Sequence, residues 1–175
     1  MATLYATFPD GALAKKAVGA LLDHGADKDS ISLIGRQGDE QYWTGDSMGK
    51  EGISTTTGKD AAHAAAKGAG IGLGIGILAG IASLIIPGFG IVIGGGALAT
   101  AIGSAVGTTA AGAIAGGVEG FMVDQGVPEK VATTYREALE HGQGMLALTL
   151  PSGKLEAGEA QEVVAKYGAS QVFLR

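Results

Sequence analysis

Between Gly68 and Val118 the chain reads GAGIGLGIGILAGIASLIIPGFGIVIGGGALATAIGSAVGTTAAGAIAGGV, 51 residues without one charge and with 16 glycines. Gly68, Gly72, Gly76 and Gly80 recur at a strict interval of four. On an α-helix this spacing lines the glycines along one nearly straight face, leaving a groove free of side chains. A second helix can then approach closely enough for dispersion contacts and weak Cα–H···O bonds. Ile71, Ile75, Leu78, Ile81 and Ile85 stand opposite the groove. Pro87-Gly88-Phe89-Gly90 cannot continue a helix. The reading is therefore two helical arms, one ending near Ile86 and the next starting near Ile91.

The second arm repeats the device. Gly95, Ala99, Gly103, Gly107, Ala111 and Ala115 form a small-residue stripe, and Leu98, Ile102, Val106, Ile114, Val118 and Met122 a ridge. Helix-packing and oligomerisation positions are thus expected at Gly68, Gly72, Gly76, Gly80, Gly95, Gly103, Gly107 and Ala111, with Pro87 at the bend. Each glycine costs a water-exposed helix about 1 kcal/mol relative to alanine, so lipid or tight burial in an assembly must stabilise the arms. As a helix the first arm, Gly68 to Ile86, spans about 28 Å, close to the hydrocarbon thickness of a bilayer. Thr100, Ser104, Thr108 and Thr109 weaken the second arm as a membrane span. Flanking cations that would fix its orientation are few, Lys59 and Lys67 preceding it. In water the exposed apolar surface would exceed what a monomer tolerates, which points to a symmetric homo-oligomer with the hairpins at its centre.

Outward from this segment both chain ends carry the same motif. Thr3 to Phe8 reads as a strand, stopped by Pro9-Asp10-Gly11, with Asp10 placed to cap a helix. Leu13, Ala17, Val18, Leu21 and Leu22 recur at helical spacing, His24-Gly25 ends the helix, and Ile31 to Gly35 is a second strand. At the other end Met145 to Leu150 and Gln171 to Leu174 read as strands flanking a helix over Leu155 to Lys166. A further helix opens at Pro128 and carries Val131, Tyr135 and Leu139. The fold expected is α+β: two ferredoxin-like β-α-β halves, helices on one face of the sheet, with an inserted glycine-zipper helical hairpin. The division is 1–35 for the first half, 36–60 for a polar linker, 61–122 for the hairpin, and 123–175 for a helix plus the second half. In the linker Trp43 marks either a partner or membrane contact or a ring tucked onto the domain's own surface.

Charge and chemistry narrow the function. The net charge of −5 divides as −2 before Gly68, zero over the uncharged run and −3 after it, so nothing draws nucleic acid. Cysteine is absent, which excludes disulfides and thiolate chemistry, and Met1 to Phe8 lacks the basic start and apolar run of a signal peptide. His24 and His141 sit where helix ends favour imidazolium, and His63 has no second ligand at helical spacing. The glycine-rich Gly68 to Gly74 fits a dinucleotide fingerprint only in part and no strand precedes it, and no Walker A sequence occurs. Glu137, Glu140, Glu156 and Glu159 fall on polar helix faces. No cofactor, metal or catalytic group is nominated.

The chain resembles a bacterial family of general stress proteins of the heat-induced type. The resemblance rests on Leu4-Tyr5-Ala6-Thr7-Phe8 with Ala14-Lys15-Lys16-Ala17-Val18, on Ile31-Ser32-Leu33-Ile34, and on Ile85-Ile86-Pro87-Gly88-Phe89-Gly90 in the glycine-rich hairpin. It rests further on Gly126-Val127-Pro128-Glu129-Lys130-Val131-Ala132 and Gly144-Met145-Leu146-Ala147-Leu148-Thr149-Leu150. It implies a stress-associated protein without known catalytic residues, and the linker at 36–60 is longer here than the family pattern. The function expected is non-enzymatic association with membrane through the hairpin, in the cytoplasm at or in the inner membrane. The alternatives are a soluble homo-oligomeric assembly and, last, an unidentified small-molecule or enzymatic role.

Overall fold

Residues 2–36, 83–86, 90–105 and 111–175 are described by the structure, a computed structural model. The first unit is β1 (Ala2–Phe8), α1 (Gly11–Asp23) and β2 (Ile31–Arg36). Asp10 caps α1, its carboxylate accepting the Leu13 N–H at 2.8 Å. The helix ends where Gly25 takes φ 90°, which lets the Ala26 N–H turn back to the Leu21 carbonyl. The second unit is β5 (Gly144–Leu150), α5 (Ala157–Lys166) and β6 (Gln171–Leu174). Between them lie β3 (Ser83–Ile86), β4 (Gly90–Gly94), α2 (Ala97–Ala105), α3 (Ala111–Asp124) and α4 (Glu129–Glu140).

These elements make an α+β fold around one six-stranded sheet, ordered β3-β4-β2-β5-β1-β6, in which every neighbouring pair is antiparallel. The two β-α-β units interleave, because β5 lies between β1 and β2 while β1 lies between β5 and β6. Side chains alternate across the strands and build two cores. Leu4, Ala6, Phe8, Leu33, Ile91, Ile93, Leu146 and Leu148 pack under α1 and α5, which supply Ala17, Val18, Leu21, Ala160, Val163 and Val164. Tyr5, Ile34, Val92, Met145 and Ala147 face the other way, against Leu98 and Ile102 of α2, Val118 and Met122 of α3, and Ala132, Tyr135 and Leu139 of α4.

Two expectations from the sequence are corrected. Helices cover both faces of the sheet rather than one. The residues around the bend are strands rather than helix ends: Ser83–Ile86 pairs with Gly90–Gly94, and Gly90–Gly94 pairs in turn with β2. The physical reason lies in Ile91, Val92 and Ile93. Three consecutive β-branched residues suit a strand buried on both faces, and all three are at most 5% exposed. The helix of the second arm begins only at Ala97.

Candidate functional site

Most of the glycine positions singled out from the sequence, Gly68, Gly72, Gly76, Gly80 and Gly107, lie outside the described residues, as does Pro87. Gly103 is within α2 and Ala111 is the first residue of α3. Gly95 is not on a helix; it sits in the bend between β4 and α2. That bend has its own geometry. Gly94 takes φ 118°, and a Cβ there would lie 2.0 Å from the Ile31 carbonyl oxygen. A Cβ on Gly96 would lie 2.4 Å from Ser32 Oγ. The chain must therefore be bare here to turn from β4 over the end of β2. Ser32, buried in β2, accepts the Ala99 N–H at 3.0 Å. It thereby supplies the first-turn acceptor that a glycine ahead of the helix cannot.

Four of the six residues of the ridge expected on the second arm face inward, while Val106 and the Ile114 side chain lie outside what is described. Leu98, Ile102, Val118 and Met122 are 5% exposed or less and form part of the second core. On the opposite side of α3, Gly116, Gly117 and Gly120 are exposed, and a Cβ on any of them would meet none of the described residues within 4 Å. Val123, farther along the helix, is 40% exposed. This bare surface was not drawn from the sequence, although the signal was present as Gly116 and Gly120 four residues apart.

Polar chemistry is sparse and mostly structural. The Tyr135 hydroxyl donates to the Tyr5 carbonyl at 3.0 Å, and the two rings meet edge to face with centroids 6.3 Å apart. Burial pushes the Tyr135 hydroxyl well above its ordinary pKa. Burial also raises that of Tyr5, while the Thr3 side chain and the Arg175 charge act in the opposite direction. Among the described residues the buried hydroxyls of Tyr5 and Thr7 find no hydrogen-bond partner. Arg136 bridges α3 and α4, its Nε 2.9 Å from Glu119 and its Nη1 2.6 Å from Glu140. The Thr133 hydroxyl donates to the same Glu119 at 2.5 Å. The bond to Glu140, the charge of Glu140 and those of Glu119 and Glu137 raise the Arg136 pKa further.

His24 and His141 are the capping residues at the ends of α1 and α4. His24 Nδ1 lies 2.7 Å from Glu159, and His141 Nδ1 lies 2.6 Å from the Glu137 carbonyl. Glu137, Glu140, Glu156 and Glu159 are all exposed. Among the described residues no group of three or more His, Asp or Glu is arranged to hold a metal. No helix among them is long and apolar enough to cross a membrane. Comparison of the chain with protein-family models, with curated proteins and with solved structures finds no match.

Proposed function

We propose that the protein is a non-enzymatic, stress-associated protein that adheres to membrane through Gly68 to Ala82 and holds its α/β domain outside the lipid. The observation that carries the reading is the division of the uncharged run. Its second half supplies β4, α2 and α3, with Ile91, Leu98, Ile102 and Val118 in the domain's own cores. The stretch left for association is Gly68 to Ala82, 15 residues that keep the four-residue glycine interval. Its 15 residues fall short of the about 20 apolar residues that a membrane-spanning helix takes. The reading is adhesion at the interface. The interleaved order β2-β5-β1-β6 supports a ferredoxin-like frame, and the resemblance to heat-induced stress proteins supports the role. Carbonate extraction after expression tests the reading: an interfacial protein is released at alkaline pH yet sediments with membranes before it.

Self-assembly is the second reading, and the exposed Gly116, Gly117 and Gly120 favour it. A bare helix face accepts another glycine-rich helix at close range. Light scattering without detergent separates the two: a species of defined size that ignores added lipid supports assembly.

A further inference from the structure

β6 is the last strand of the sheet, and among the described residues only β1 pairs with it. Thr3 and Arg175 exchange both backbone hydrogen bonds, at 2.7 and 3.0 Å. In an antiparallel ladder the exchanging pairs alternate, so Phe173 and Gln171 also turn their backbone groups inward. The N–H and C=O groups of Val172 and Leu174 point out of the sheet. An edge of this kind is a template for another strand, and proteins that must stay apart guard it with lysine, proline or a bulge. Gln171–Leu174 holds no lysine and no proline. No residue of the strand is fully buried, and Val172 is 38% exposed.

We propose that β6 pairs with β6 of a second copy, antiparallel across a two-fold axis at Phe173, joining two six-stranded sheets into one. The edge itself selects this occupant. Val172 opposite the copy's Leu174, and Leu174 opposite its Val172, engage every outward backbone group of the strand. Val172 and Leu174 share the face of the sheet on which Ala6 and Leu4 lie, so apolar side chains meet there. On the other face the two Phe173 rings meet across a non-hydrogen-bonded pair, where Cα atoms stand about 4.5 Å apart. Arg175 falls opposite the copy's Gln171, so no like charges face each other. The two-fold closes the contact and does not propagate. A seam of two four-residue strands buries less than the roughly 1,200 Å² of a standard interface, so the dimer is reversible and concentration-dependent.

The chain has no cysteine, which makes disulfide trapping specific. In full-length protein without lipid, Phe173→Cys should form a disulfide dimer on mild oxidation, since a Cα separation of about 4.5 Å is within disulfide reach. Val172→Cys and Leu174→Cys should each stay monomeric on a non-reducing gel but link when mixed, and this pair guards against a Phe173 variant that fails to fold. Val172→Lys should lower the dimer fraction in sedimentation at least tenfold without changing the circular dichroism. Absence of both the Phe173→Cys and the mixed linkage overturns the proposal, as does Val172→Cys linking to itself as readily as the mixture. Because lipid is absent throughout, these outcomes are independent of membrane adhesion.

Discussion

Leu98→Ala separates a helix that is domain core from a helix that belongs to a membrane arm. Leu98 is 1% exposed and lies among Ile34, Val92, Ile102 and other residues of the second core. Truncation removes three carbons, about 2.4 kcal/mol of transfer energy at about 0.8 kcal/mol for each. A cavity term adds to this, because a close-packed core collapses only in part, and measured costs run from about 2 to 5 kcal/mol. Taking about 3 kcal/mol, and about 2–4 °C per kcal/mol for a chain of this size, the melting temperature should fall by about 6–12 °C. Val123→Ala is the control. It trims a side chain that is 40% exposed on α3 and should cost less than about 0.5 kcal/mol. The assay is thermal denaturation followed by circular dichroism without detergent. A Leu98→Ala protein melting within 1 °C of the parent would refute the placement of α2 against the sheet.

Ser32→Ala leaves the buried Ala99 N–H without its acceptor and should cost about 1–3 kcal/mol, read as a lower urea midpoint at unchanged slope. Gly96→Ala puts a Cβ 2.4 Å from Ser32 Oγ and should also destabilise. Gly117→Ala adds a Cβ that meets none of the described residues and should stabilise by up to about 1 kcal/mol; denaturation midpoints that move in opposite directions check the pair. The raised pKa values of Tyr5 and Tyr135 mean that the folded state holds phenolic protons that the unfolded state releases near pH ~10. Stability should therefore decline as pH rises above ~10. Tyr135→Phe should flatten that decline, as denaturant titrations between pH ~9 and ~11.5 will report.

The two β-α-β units were legible because their punctuation is local. Asp10 before a helical stripe, Gly25 after it and a β-branched run from Ile31 fix a strand, a helix and a strand within 35 residues. Ile91-Val92-Ile93 was not legible. A short apolar run has no period that distinguishes strand from helix, and the glycine interval on either side favoured a helix. What decides it is pairing with β2, more than fifty residues away in sequence. The ridge Leu98, Ile102, Val118 and Met122 was visible as a pattern of four, but its destination was not, since periodicity marks an apolar face without naming what covers it. Gly94 and Gly96 show the same limit. Their bareness answers to the Ile31 carbonyl and to Ser32, neighbours that only the folded chain brings near.

Flotation on zwitterionic phosphatidylcholine liposomes, to which an added lysine gains no electrostatic attraction, tests most directly the claim that the uncharged run is split between domain core and membrane contact. The parent protein is compared with an Ile75→Lys, Leu78→Lys double variant, both confirmed by circular dichroism to keep the fold. The account predicts that the parent rises with the vesicles while the double variant stays at the bottom of the gradient with an unchanged melting temperature. Equal flotation of both proteins, or flotation of neither, would contradict it.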